Sequence, residues 1–209
     1  METIRGRTSF ELDLKGLQER LAGYNRILLD LGTGDGRYVR NLAKRHPNWF
    51  VIGVDACREN LREHSRAKLP NMLFIIAEAR HLPRELAGRV SQLTINFPWG
   101  SLLEGLLTSD PALMNGLASV SRPVTAMEVR LNGGALAEAG WSLETGAQQI
   151  QDNLLRSGWQ VDPPGTMDAS SLQTFPTTWA RRLAHGRDPH ALAISGWLAN
   201  QPYNIEQPA

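Results

Sequence analysis

Two carboxylates and three alternating glycines carry the first recognisable chemistry in this chain. Residues 27–36 run Ile-Leu-Leu-Asp-Leu-Gly-Thr-Gly-Asp-Gly, and Phe50-Val51-Ile52-Gly53-Val54 ends in Asp55. Glycines at 32, 34 and 36 let a backbone turn tightly beneath a bound group. A carboxylate about 20 residues past such a loop is placed to accept hydrogen bonds from ribose hydroxyls. The pattern is Gly-x-Gly-x-Gly, not the Gly-x-Gly-x-x-Gly of dinucleotide enzymes, and no Gly-x-x-x-x-Gly-Lys-Ser/Thr phosphate cradle occurs. The loop by itself is equally compatible with a strand-to-helix turn that holds nothing.

Asp30-x-Gly-x-Gly-x-Gly followed by Asp55 resembles the cofactor signature of class I S-adenosylmethionine methyltransferases. That resemblance implies a site built from Asp30, Gly32, Thr33, Gly34 and Asp55.

A second set of residues suits a flat aromatic substrate. Asn96-Phe97-Pro98-Trp99-Gly100 closes an apolar run, and Thr177-Thr178-Trp179-Ala180-Arg181-Arg182-Leu183-Ala184-His185-Gly186-Arg187 puts another Trp in a basic setting. If both segments sit over one sheet edge, Trp99 and Trp179 can sandwich a base. Stacking on an aromatic contributes roughly 1–3 kcal/mol per base, which offsets much of the few kcal/mol needed to unstack one from a helix. Arg58, Arg62 and Arg66 are four residues apart and would share one helix face, with Lys68 just beyond. With Arg182 and Arg187 they form candidate RNA-phosphate contacts, which position an enzyme without reading sequence. Each cluster alone also suits an ordinary solvated face.

The elements that must position these groups follow from the hydrophobic pattern. The chain has 209 residues, 42% hydrophobic, which suits one domain with a full core. Strands are expected near 26–31, 50–54, 72–76, 90–96 and 124–131, with helices near 36–46, 57–67, 101–107 and 110–119 between them. Helix 57–67 has Leu61 as its main apolar anchor. Residues 2–13 alternate like a hairpin, and a short helix from Leu14 to Leu21 completes an N-terminal extension over 1–22. A helix over Ser142–Arg156, strands at Trp159–Asp162 and His190–Leu198, and a helix near Pro176–Ala184 follow. Strand–helix alternation argues for an α/β fold with a parallel sheet, and the resemblance to class I methyltransferases implies the Rossmann-like version, with a seven-stranded, mostly parallel sheet and an N-terminal β-hairpin. One domain is expected over 1–199, with 200–209 as a frayed tail.

Bulk properties narrow the partners. Lys and Arg number 22 against 21 Asp and Glu, so any nucleic-acid contact must come from clustered charge. The single Cys57 excludes an intramolecular disulfide and a multi-cysteine metal site, and no metal site is expected. The start resembles no signal peptide and no apolar run approaches a membrane span, so the expectation is a cytoplasmic protein with no membrane association and no obligate protein partner.

Three segments in this order resemble one small family, the aminoglycoside-resistance 16S rRNA (adenine-1408 N1) methyltransferases. They are Asp-Leu-Gly-Thr-Gly-Asp-Gly-Arg at 30–37, Phe-Pro-Trp-Gly-Ser-Leu-Leu-Glu at 97–104, and Trp-Ala-Arg-Arg-Leu-Ala-His-Gly-Arg at 179–187. The first is widespread among methyltransferases; the other two are far more specific. The resemblance implies that S-adenosylmethionine is consumed and S-adenosylhomocysteine released. It further implies methylation of the decoding-site adenine in helix 44 of 16S rRNA within the 30S subunit. It gives Trp99 and Trp179 the flipped base, Pro98 a backbone carbonyl contact to it, Ala79, Arg80 and Thr177 places beside the cofactor, and Arg182 and Arg187 contacts to rRNA.

This chain departs from the family in two places. Ala77-Glu78-Ala79-Arg80 sets Arg80 where members often carry Glu, and Asp188-Pro189 replaces a basic position of some members. Two rival chemistries fit Asn96-Phe97-Pro98-Trp99. It is similar to the Asn-Pro-Pro-Tyr motif of amino-group methyltransferases and to the Asn-Phe-Pro start of a tRNA guanine-N7 motif. Neither accounts for the Trp179 segment. A third alternative, kept open by Arg80, is a weakly active module that binds cofactor and rRNA.

Overall fold

The computed structural model describes residues 1–177, 180 and 190–199. Its centre is five parallel strands in the order β5 (Met72–Ile76), β4 (Trp49–Asp55), β3 (Arg26–Leu31), β6 (Val90–Asn96) and β7 (Ser121–Asn132). Order reverses at β3: the chain steps one way to β4 and β5, then crosses back to β6. Ligands of open α/β sheets bind at such a switch point, beyond the carboxyl ends of the strands. Here those ends carry Asp30-Leu31, Asp55 and Asn96.

Burial on both faces explains the apolar runs. Leu29 and Leu31 pack on one side of the sheet with Ile52 and Val54, while Leu28 and Val51 pack on the other. Each fully buried Leu or Ile contributes roughly 1.5–3 kcal/mol. One layer holds α1 (Leu14–Leu21), α4 (Gly100–Thr108), α5 (Pro111–Val120) and α7 (Leu143–Arg156), and the other holds α2 (Arg37–Arg45) and α3 (Arg58–Leu61). Helix starts are capped as their sequences direct: Asp13 accepts the N–H of Gly16, Asp110 that of Leu113 and Ser142 that of Thr145.

Among the described residues the expected seven-stranded sheet is enlarged to ten strands. Besides the five parallel strands, β10 (Ala191–Leu198) inserts antiparallel beside β7, and β8 (Trp159–Val161) pairs with β10. The N-terminal hairpin, β1 (Glu2–Arg5) and β2 (Thr8–Glu11), is not a separate appendage. Thr3 of β1 pairs with Ile75 of β5 and extends the sheet edge. The tenth strand is β9 (Gly165–Met167), which also pairs with β10. The parallel pairing is therefore confined to the five central strands, and the strands added at either edge pair antiparallel.

The expected helix over 57–67 is broken. Only α3 is α-helical, and a 3-10 turn follows at His64–Arg66. With Leu61 as its one apolar anchor the segment has little to hold a longer helix against the sheet. Instead Ser65 Oγ accepts the N–H of Gly6 at 2.8 Å and ties the turn to the hairpin. Arg58, Arg62 and Arg66 consequently do not share one helix face. Two short helices were not anticipated, α6 (Gly133–Glu138) and α8 (Ala169–Thr174). The expected helix near Pro176–Ala184 and the tail at 200–209 lie almost wholly outside the described residues.

Candidate active site

The glycine loop is shaped by its neighbours. The N–H groups of Gly32 and Thr33 both donate to the Val54 carbonyl, at 2.9 and 3.0 Å, fastening the loop to the end of β4. Gly36 opens α2 at φ 77°, and a Cβ there would lie 2.5 Å from the Phe74 ring. Gly34 has φ 58°, yet nothing lies within 4 Å of where its Cβ would be, because that side is open space. The tight packing at 36 and the opening at 34 are what a backbone cradle requires. Asp55 stiffens it: Oδ2 accepts the N–H of Gly34 at 2.8 Å, and Oδ1 accepts the N–H of Cys57 at 2.9 Å and the Asn60 amide at 3.4 Å.

A cleft of about 550 Å³ opens over this loop. Gly32, Gly34 and Asp55 form one wall, Ala79 and Arg80 another, and Pro98 and Trp99 a third. Seven of the residues expected at a site therefore converge on one cavity.

Trp99 is presented by a strained turn. After β6, Phe97 takes φ 54°, a conformation that non-glycine residues adopt only when their surroundings over-determine it. Phe97 is buried, and its N–H donates to the Arg130 carbonyl at 2.8 Å. Pro98 is buried next to it, and Trp99, at the N-cap of α4, is 43% exposed on the cleft.

Three expected cofactor residues do not line the cleft. Asp30 is 1% exposed beneath the loop, where Oδ1 accepts hydrogen bonds from Thr94 Oγ1 and Asn96 Nδ2, each at 2.8 Å. Burial pushes its carboxyl up to about 6, against the pull of those donors and of the nearby Arg130 charge. Its role is to brace the ends of β3 and β6. Thr33 is buried, with its methyl placed against Gly53. Thr177 Oγ1 accepts the N–H of Ala180 at 3.0 Å, the geometry of a helix N-cap.

Arg80 reaches across the cleft wall. Its Nε lies 3.1 Å from Asp110, the N-cap of α5, and its Nη2 lies 3.8 Å from Glu104 of α4. Glu78 is exposed and pairs with His81 at 3.5 Å. The guanidinium therefore spans two helices that frame the cleft, which supplies a structural reason for a cation at this position.

Comparison with known proteins identifies the arrangement. A family profile described as 16S rRNA (adenine(1408)-N(1))-methyltransferase matches residues 2–197. The chain belongs to this family. It is 33% identical over 213 residues to the 16S rRNA (adenine(1408)-N(1))-methyltransferase of Streptoalloteichus hindustanus, covering 94% of this chain and 98% of that protein. It is similar to the 16S rRNA methyltransferase KamB, with TM-score 0.86 and 30% identity over 96% of this chain and all of the other. A tryptophan-to-alanine variant of the 16S rRNA (adenine(1408)-N(1))-methyltransferase from Catenulisporales acidiphilia, solved with its cosubstrate SAM, matches at TM-score 0.84 and 26% identity over the full length of both chains. The class I methyltransferase fold expected from the loop is thereby established.

In this 16S rRNA (adenine(1408)-N(1))-methyltransferase family member, the basic residues after β4 are arranged as a descending series. Arg58 starts α3 next to the cleft edge and donates to the Arg7 carbonyl at 3.4 Å, and Arg62 pairs with Glu59 at 2.8 Å. Arg66 packs its stem over Gly6. Lys68 lines a separate depression of about 340 Å³ with Arg5 and Arg20, towards the amino end of β5. Arg20 donates to the Met72 carbonyl at 2.8 Å, and both its burial and the charge of Arg5 lower its proton affinity. Arg5 and Arg20 were not anticipated, because the hairpin and α1 come together with the 60s only in the fold. Trp179, Arg182 and Arg187 lie outside the described residues. No helix among the described residues is long and apolar enough to cross a membrane, and among them no cluster of His, Cys, Asp and Glu could hold a metal ion.

Proposed function

We propose that this chain transfers the methyl group of S-adenosylmethionine to N1 of adenine 1408 in the decoding site of 16S rRNA, with the 30S subunit as substrate, and so confers aminoglycoside resistance. The observation that carries this reading is that one cleft is walled on one side by the glycine cradle and Asp55 and on another by the exposed Trp99. A methyl donor and a flat acceptor base can share it.

The cleft fits the donor. Open space at Gly34 lets backbone approach closely, and Asp55 Oδ2, which accepts one hydrogen bond, retains a lone pair that would accept from a ribose hydroxyl. Ala77 and Leu102 add an apolar lining for a nucleoside base. When bound, the cofactor supplies a sulfonium methyl: the adenine N1 lone pair forms the new N–C bond as the S–C pair returns to sulfur.

Adenine N1 carries no proton at neutral pH, so no general base is required, and the chain's contribution is positioning. Trp99 stacks on the extruded base, with Trp179 as its partner on the other face and the Pro98 carbonyl at its edge. The product ring is cationic, and an indole face stabilises a cation by about 0.5–2 kcal/mol. The same stack therefore favours the transition state over the neutral substrate. Arg58, Arg62, Arg66 and Lys68, joined by Arg5 and Arg20, provide phosphate contacts down one flank, with Arg182 and Arg187 as further contacts.

Transfer of labelled methyl to 30S subunits and, in parallel, to total tRNA tests the reading. Label in 16S rRNA and none in tRNA is expected. Label in tRNA would instead support the guanine-N7 chemistry of the Asn-Phe-Pro resemblance. Cofactor binding without transfer to either would reduce the chain to a binding module.

A further inference from the structure

The turn that presents Trp99 is held from behind by groups the proposed reaction does not use. Arg130 of β7 is at its centre, with its side chain 13% exposed. Nη1 donates to Asn96 Oδ1 at 2.8 Å, Nη2 pairs with Glu128, and the backbone carbonyl of Arg130 accepts the N–H of Phe97. The guanidinium also lies 4.5 Å over the Phe175 ring. Phe175 in turn stacks on Tyr38, with centroids 5.3 Å apart and planes 19° off parallel, and meets Phe97 edge-on at 6.0 Å and 88°.

Asn96 completes the connection. Its amide donates to Asp30 while its carbonyl oxygen accepts from Arg130, so β3, β6 and β7 are cross-braced by one carboxamide in a fixed orientation. Tyr38 lies in the first turn of α2, directly after the glycine loop. The strained Phe97 is therefore clamped between a polar network below and an aromatic stack beside it, and both end at the cofactor loop. Phe97 has φ 54°, and such a conformation persists in a non-glycine residue only where its surroundings impose it.

We infer that Arg130, acting with Phe175, is the positioning device for the base-stacking wall: it imposes the Phe97 turn and so fixes Trp99 and Pro98 relative to the glycine cradle. This rests on the proposed function for its link to methyl transfer, but the positioning itself can be read without it. Arg130→Met keeps length and removes the charge, leaving Asn96 Oδ1 and Glu128 without their donor. Phe175→Leu keeps bulk and removes both the ring stack and the cation–π contact. Arg130→Lys and Phe175→Tyr are the restoring variants.

The test labels the protein with 5-fluorotryptophan and follows two 19F resonances, Trp99 and the fully buried Trp159, each assigned by Trp→Phe replacement. In Arg130→Met and in Phe175→Leu the Trp99 signal should shift or broaden while that of Trp159 stays in place. The single-turnover methylation rate on 30S subunits should fall about 10-fold or more, with S-adenosylmethionine affinity changed by less than about 3-fold. Arg130→Lys and Phe175→Tyr should recover most of both signals. An unchanged Trp99 resonance in both disrupting variants overturns the inference, as does a cofactor affinity that falls as far as the rate. A wild-type protein that methylates no 30S subunit would defeat the proposed function alone, since the Trp99 resonance still decides the positioning. If Arg130→Met fails to fold, Phe175→Leu carries the same comparison.

Discussion

Trp99 follows a turn in which Phe97 takes a positive φ, and is 43% exposed at the cleft. If base stacking at that surface contributes roughly 1–3 kcal/mol, Trp99→Ala should slow single-turnover methylation by about 5- to 150-fold. Calorimetry should find S-adenosylmethionine affinity nearly unchanged, because the glycine cradle and Asp55 are untouched. Asp30 makes a different prediction. Its folded carboxyl titrates at about 6, above the ordinary value of 3.8, so between those values the folded protein holds more protons than the unfolded chain. Stability therefore falls as pH rises through that window, by about 3 kcal/mol in total from this group. The difference in unfolding free energy between wild type and Asp30→Asn, followed by urea melts from pH 4 to 7, should shrink with rising pH from wild type's side. A flat difference would contradict the buried, hydrogen-bonded carboxylate described above.

Among the elements, α4 and α5 frame the cleft through Arg80, which lies beside Glu104 and Asp110. Arg80→Glu would restore the acid often found in the family but place it against two other carboxylates. Cofactor affinity should drop about 10-fold instead of improving, and part of the loss should return at high salt as the repulsion is screened. Titration calorimetry at two ionic strengths checks this. The elements also show what could be read from the chain in advance. The strands at 26–31, 50–54, 72–76 and 90–96 were legible because burial on both faces writes itself as a continuous apolar run. The helix at 57–67 was not, because four-residue spacing of arginines says nothing about whether Leu61 alone can hold eleven residues down. Gly32 and Asp55 were legible from the loop and the carboxylate that follows it, Trp99 from the segment closing the fourth strand, and Arg80 only from the family resemblance. Thr33 and Thr177 do not line the cleft, the first with its methyl against Gly53 and the second accepting the N–H of Ala180, and Arg130 was missed because its partners, Asn96 and Phe175, meet it only in the fold.

At the scale of the whole molecule, the switch in strand order at β3 puts the glycine loop and the Trp99 turn on adjacent strand ends, facing one cavity. The antiparallel β10 starts at that same edge, with Ala191 opposite Asn132 at the carboxyl end of β7. Basic residues descend the flank beside the hairpin, away from the cleft, which suits a substrate much larger than a nucleotide. The proposed function requires that a base from a large structured RNA reach this cleft and be methylated on its pairing edge. Primer extension on 16S rRNA, from 30S subunits treated with this protein and S-adenosylmethionine, tests it most directly, because N1 methylation blocks Watson–Crick pairing. A stop at adenine 1408 is expected, strong with wild type and greatly reduced with Trp99→Ala. Read-through at that adenine by subunits to which the wild-type protein has transferred methyl groups would contradict it.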